Sequence, residues 1–135
     1  VILVDTSAWV EFDRATGGPA DRRLTDLIEA GAEIAVTEPV VMEVLAGARD
    51  ERRLRQLQRM MDTPRLLRFD PVADFAAAAR IYRACRRVGV TPRGMVDCMI
   101  ASVAFRERAT LLAADVDLVR VAAVMGMELD PAARP

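Results

Sequence analysis

With 135 residues, of which 53% are hydrophobic and 29% charged, the chain is expected to form a single domain, 1–135, with a sizeable core. All 19 of its basic residues are arginine and histidine is absent, which excludes His triads and bases, Schiff-base and P-loop lysines, and a zinc set built on Cys85 and Cys98. The net charge of −1 gives no global attraction to nucleic acid, so any such binding must come from a local cluster.

The predicted elements alternate. VILV (1–4) reads as a buried strand, and Asp5, Thr6 and Ser7 follow it directly. EIAV (33–36) is a second strand; after it Thr37-Glu38-Pro39 places a capping hydroxyl and an early proline at the start of the helix EPVVMEVLAG. Arg49, Arg52, Arg53, Arg55 and Arg59 crowd the next segment. RLLRF (65–69) is a third strand, and Asp70-Pro71 opens a helix closed by Gly89. In that helix Ile81, Ala84, Cys85 and Val88 fall on one face, with Arg80, Arg83 and Arg87 on another. Thr91-Pro92 marks the start of the helix TPRGMVDCMIASVAF, TLLAA (110–114) is a fourth strand, and MEL (127–129) is a weak fifth. Continuous apolar strands separated by helices imply an α/β fold with a parallel sheet covered on both faces. No apolar run approaches the ~20 residues of a membrane span and no basic leader precedes an apolar core, so a cytoplasmic protein without membrane attachment is expected.

Ligands of open parallel sheets bind at the carboxyl ends of the strands, which directs attention to acids placed there. Asp5 follows the first strand, Glu43 lies in the helix after the second, Asp97 in the first turns of the TPRGMVDCMIAS helix, and Asp115 and Asp117 follow TLLAA. Each has an ordinary use as well: Asp5 and Asp115 as helix caps, Asp117 as a turn residue, Glu43 on a solvated face. Glu43 and Asp97, however, are flanked by apolar residues on nearly every side of their helices. Burying a carboxylate without a partner costs several kcal/mol, so a cation or paired donors are required. With no lysine or histidine to serve, a divalent metal held by oxygen, Mg²⁺ or Mn²⁺, is the economical partner, and phosphodiester hydrolysis the natural chemistry.

The stretches VILVDTSAWVEF, TEPVVMEVLAG, TPRGMVDCMIAS and LLAADVDL resemble, in order and spacing, the PIN-domain ribonucleases, and among them the VapC toxins of bacterial VapBC toxin–antitoxin modules. The resemblance runs over essentially the whole chain. It implies a three-layer α/β/α domain with a five-stranded parallel sheet. It also implies a Mg²⁺- or Mn²⁺-dependent endoribonuclease that cuts structured RNA such as tRNA or rRNA and so inhibits translation. Carried over residue by residue, Asp5, Glu43, Asp97 and Asp115 are the catalytic acids, and Asp5, Asp97, Asp115 and Asp117 the metal ligands. Thr6 and Ser7 orient the first Asp or a water, and Arg93, four residues before Asp97 on the expected helix, meets phosphate or an antitoxin. Leu118 stands where an aromatic often follows the last acid pair, and reads as packing. A cognate VapB-type antitoxin, a homodimer and a toxin–antitoxin hetero-oligomer are the implied partners, with an RNA substrate.

Arg80, Arg83 and Arg87, together with the 49–59 cluster, are candidate contacts to the RNA backbone; the alternative is that they are solvated helix faces. Aromatic residues make up only 4% of the chain, so a base-stacking platform is not expected. Two other classes remain open: a receiver-like phosphoryl domain, which would need the strand-end lysine this chain lacks, and an inactive PIN-like scaffold that binds RNA or protein without cutting.

Overall fold

Ile34, Ala35 and Val36 are all buried although neighbours along a strand point to opposite faces, so both faces of the sheet are covered. The computed structural model describes residues 1–133. Its sheet is parallel, in the order β3-β2-β1-β4, with β1 (Ile2–Val4) between β2 (Ile34–Val36) and β4 (Thr110–Leu112) and the short β3 (Arg65–Leu66) at one edge. Leu3 stands opposite Ala35 on one side and Leu111 on the other. Seven helices are found among the described residues: α1 (Thr6–Arg14), α2 (Pro19–Glu29), α3 (Glu38–Ala46), α4 (Glu51–Met61), α5 (Pro71–Arg87), α6 (Met95–Glu107) and α7 (Val116–Val124). None is long and apolar enough to cross a membrane.

The α/β class and the covered parallel sheet agree with the sequence pattern, but the strand count does not. MEL, expected as a fifth strand, is reduced to one parallel bridge between Leu111 and Leu129. Its main chain makes two bonds to Leu111 and then turns away: the Asp130 side chain accepts from Ala132 N, and Pro131 has no N–H to continue a ladder. RLLRF likewise shrinks to Arg65–Leu66 because the Phe69 amide is taken by the Glu38 carboxylate and Asp70 caps α5 through Val72 N and Ala73 N. The helix expected from Thr91-Pro92 begins only at Met95, leaving Arg93 in the connecting loop. Gly89, at φ +80, ends α5 in the left-handed conformation that glycine adopts without strain. Ile81 and Cys85 are buried as expected, whereas Val88, at the C-cap, is 64% exposed.

Two buried carboxylates lie outside the acid positions already singled out, and both are paired. Asp130, 2% exposed, is gripped by Arg23 of α2 through Nε at 3.1 Å from each oxygen and Nη2 at 3.0 Å. Asp74, 1% exposed at the start of α5, receives Nε and Nη2 of Arg106 at 3.2 and 2.8 Å. Because Arg106 lies near the end of α6, this pair locks α5 and α6 antiparallel, and Arg106 also donates to the Arg68 carbonyl at 2.7 Å. Burial alone would push Asp74 up, but Arg106 and the Asp70 amide hold it below the usual carboxylate range. Arg106→Ala strands a buried carboxylate and is expected to cost about 2–3 kcal/mol at pH 7, reduced from the fully buried case because Arg106 is partly exposed. A carboxylate with a lowered pKa contributes stability above its unfolded pKa, and that contribution is lost on acidification. The deficit of Arg106→Ala in urea melts should therefore shrink as the pH falls below about 4; an equal deficit at pH 7 and pH 3 would contradict it.

Candidate active site

The main chain delivers the acids to one end of the sheet. Asp5 N donates to Leu112 O at 2.9 Å, extending the β1–β4 ladder one residue past β1, and the chain then turns into α1. Asp5 is at once the cap of that helix and a buried acid, so the two uses weighed for it coexist: Oδ2 accepts from Ser7 N at 3.2 Å and Ser7 Oγ at 2.7 Å. Ser7 Oγ in turn accepts from Ala114 N at 2.9 Å, which pins the end of β4 to the end of β1. The other oxygen, Asp5 Oδ1, is buried and has no partner. Glu43, one turn from the end of α3, is only half-buried and its neighbour Met42 is exposed, so its helix is less enclosed than the sequence implied. Its Oε1 accepts from Thr6 Oγ1 at 2.6 Å. Asp115 caps α7 through Asp117 N at 2.8 Å, and Asp117 pairs with Arg93 Nη2 at 2.8 Å.

Asp97 ties these positions together. In the first turn of α6 and half-buried, it is pushed up to about 7 by burial first and then by the negative charges of Asp5, Asp115, Glu43 and Asp117. Asp5 is raised to about 6, chiefly by burial, against the pull of the Ser7 and Thr6 donors and with a further push from Glu43. The five acids named from the sequence thus form one electrostatic cluster. Arg93 joins it by a different route from the one expected: it lies outside α6, and it meets Asp117 rather than sharing a helix face with Asp97. Arg80 and Arg87 line the apolar furrow between α5 and α6, beside Ile81, Ala84 and Phe105, and Arg83 is exposed on the same helix. Leu118 is fully buried, and Cys85 and Cys98 are buried free thiols, all three packing residues as expected.

In the sequence Thr37 reads only as a capping hydroxyl. It makes no side-chain cap bond, and continuing the β1–β2 register by two residues places it opposite Asp5. Its Oγ1, like Asp5 Oδ1, is buried without a partner. The matching strand-end positions were the signal in the sequence, hidden behind the commoner use of threonine.

These features fit a hard divalent cation: every available donor is oxygen, one buried carboxylate oxygen is unclaimed, and Asp97 is surrounded by negative charge. Among the described residues no three acids converge into a ready-made cage. Glu43, Asp115 and Asp117 are instead turned to Thr6, the α7 backbone and Arg93, as like charges do with hydrogen-bond donors nearby.

In the metal-free protein, acids with raised pKa values hold protons that the unfolded chain has released, so stability falls as the pH rises from about 4 through 7. Asp97→Asn removes one of the two groups responsible. It should be more stable than the parent at pH 8 by roughly 1 kcal/mol, a value reduced for solvent screening of a half-buried group, and equal to it near pH 4. Thermal melts in EDTA across this range check it; a variant less stable at pH 8 would contradict the crowding of charge at Asp97.

The chain matches the PIN domain model over residues 2–124. It is 43% identical over 129 residues to VapC ribonuclease Mb1587 of Mycobacterium bovis and, equally, to ribonuclease VapC11 of Mycobacterium tuberculosis, covering 95% of this chain and 96% of each relative. Its fold is similar to that in the DNA-bound VapBC2 structure from Rickettsia felis, with TM-score 0.75, 19% identity and 96% of each chain covered. The DNA-bound VapBC structure from Salmonella typhimurium gives 0.74 at 19% identity, with the same coverage. The acid cluster at the strand ends therefore lies in a protein that belongs to the PIN-domain family, among the VapC ribonucleases.

Proposed function

We propose that the protein is a Mg²⁺- or Mn²⁺-dependent endoribonuclease, the toxin of a toxin–antitoxin pair, that cuts structured RNA such as tRNA or rRNA and thereby inhibits translation. The observation that carries this is Asp97: a half-buried carboxylate driven to about 7 by burial and four other acids is a site prepared for cationic charge. The relatives named as ribonucleases support the choice of RNA.

Asp5, Asp97, Asp115 and Asp117 would hold the cation, which when bound would acidify water and neutralise charge developing on the phosphoryl group. Ser7 fixes Asp5 by the two bonds to Oδ2, leaving the buried Oδ1 unclaimed. Thr6 fixes Glu43 through Oε1, so Oε2 is the atom that would accept the proton of the attacking water as the new O–P bond forms and the phosphodiester P–O bond breaks. The RNA backbone would approach Glu43 along a groove of about 680 Å³ between α1, α3 and α4, which has Glu43 in its wall and Arg14, Arg49 and Arg53 along its sides. Arg53 is held by Asp13, which leaves Arg14 and Arg49 to meet phosphate. Arg80, Arg83 and Arg87 are less favoured, because the furrow that Arg80 and Arg87 line contains none of the five acids. A VapB-type antitoxin is the proposed restraint, consistent with the VapBC complexes among the structural neighbours, and a homodimer the proposed assembly.

The test is cleavage of total RNA by antitoxin-free protein. Cutting should require Mg²⁺ or Mn²⁺, stop with EDTA, and fall at least about 100-fold in Asp97→Asn and Glu43→Gln. Arg14→Ala/Arg49→Ala should raise KM with little change in kcat. A parent protein that binds the metal yet leaves RNA intact would support a scaffold instead.

A further inference from the structure

Arg93 is the one cation that touches the acid cluster among the described residues. Its Nη2 lies 2.8 Å from Asp117 Oδ2, and the two partners differ sharply in burial: the Arg93 side chain is 79% exposed, that of Asp117 17%. Arg93 is not fixed by helical structure, since α5 has ended at Arg87, Gly89 is left-handed, and α6 starts only at Met95. The guanidinium therefore reaches from solvent onto an acid anchored in the first turn of α7.

We propose that Arg93 is an exchangeable counterion, which neutralises Asp117 while the site lacks a divalent cation and turns to the RNA backbone once the cation is held. The inference rests on the function proposed above and adds to it a coupling between metal uptake and substrate binding through one side chain. Two physical facts require the exchange. A carboxylate oxygen engaged by a guanidinium is a poorer ligand for a metal, so Arg93 and the cation compete for Asp117. A phosphate approaching five acids is repelled, and a fully charged, solvent-facing guanidinium at their edge is the group placed to offset that repulsion once it leaves Asp117. Each ligand then favours the state that the other needs, and the coupling is reciprocal.

Arg120 provides the control. It lines the same small cavity of about 220 Å³ as Asp117, together with Gly89, Val90, Thr91 and Pro92, but makes no ion pair among the described residues. Removing it deletes the same charge from the wall of a cavity that Asp117 also lines, without freeing Asp117.

Titration of antitoxin-free protein with Mg²⁺ by calorimetry is the first arm. Arg93→Ala should bind Mg²⁺ about two- to fivefold more tightly than the parent, the range an exposed ion pair is worth. Arg120→Ala should shift by clearly less, and Arg93→Lys, which keeps the charge, should stay near the parent. The second arm follows anisotropy of a labelled RNA oligonucleotide in the Glu43→Gln background, which keeps the strand intact. With Mg²⁺, Arg93→Ala should weaken RNA binding about tenfold and lower the salt slope by about one; without Mg²⁺ it should change neither. Unchanged or weaker Mg²⁺ binding in Arg93→Ala, an equal gain in Arg120→Ala, or an RNA defect of the same size with and without Mg²⁺ would each overturn the exchange while leaving the nuclease assignment standing. A parent protein that takes up no divalent cation would remove that assignment itself.

Discussion

Charge crowding at the carboxyl ends of β1 and β4 is the constraint around which the rest of this molecule is arranged. A carboxylate leaving water for a protein interior loses several kcal/mol unless donors or a cation compensate. The chain meets that demand in two different ways. Asp74 and Asp130 are almost completely buried and each is clasped by an arginine from another element, Arg106 and Arg23, so that their charge fastens α5 to α6 and the C-terminal segment to α2. Asp5 and Asp97 have no such cation, and burial first, with the charge of neighbouring acids added, raises their pKa values to about 6 and about 7. The first kind of burial supports the fold; the second stores an unfavourable charge distribution that a bound cation would relieve.

The local structure serves that placement. Three consecutive buried residues in β2, with Leu3 and Val4 of β1 buried at its side, give a rigid platform, and the chain turns directly from β1 into α1, so Asp5 has little freedom to move. Ser7 joins the two strand ends through one hydroxyl, accepting from Ala114 and donating to Asp5. Thr6 sets Glu43 from across the site. The hydroxyls beside Asp5 therefore act on two different acids, a division of labour that composition alone does not show. Asp5, Asp97, Asp115 and Asp117 stand at strand ends and helix starts rather than on long loops, so a cation entering the cluster would require side chains to turn, not the backbone to move.

Much of this was legible in the sequence because the relevant signals are local. VILV followed by Asp5, and TLLAA followed by Asp115, mark strand ends by an abrupt change from apolar to acidic, and Asp70-Pro71 declares a helix start that the structure places at Pro71. What was not legible depended on competition between distant partners. The fifth strand shrank to a bridge because, beyond the Asp130 amide bonded to Leu111, Pro131 has no N–H and the Ala132 amide is taken by the Asp130 side chain. β3 was cut short by Glu38, thirty-one residues earlier in the chain, taking the Phe69 amide. Arg93 reaches the acids by another route than helix spacing implies: a loop ending at Gly94 brings it to Asp117 rather than to Asp97. The position of Thr37 opposite Asp5 is a property of two strands in register, which its own sequence neighbourhood does not carry.

Calorimetric titration of the antitoxin-free protein with Mn²⁺ at pH 6.5, repeated in buffers of different ionisation enthalpy, reads the central claim most directly, because it counts the protons that leave as the cation enters. Acids held near 6 and 7 are partly protonated at that pH and must ionise to serve as ligands. The account predicts binding with net proton release that diminishes toward pH 8 and is reduced in Asp97→Asn. Binding with no proton release at pH 6.5, or no binding at any pH, would contradict it.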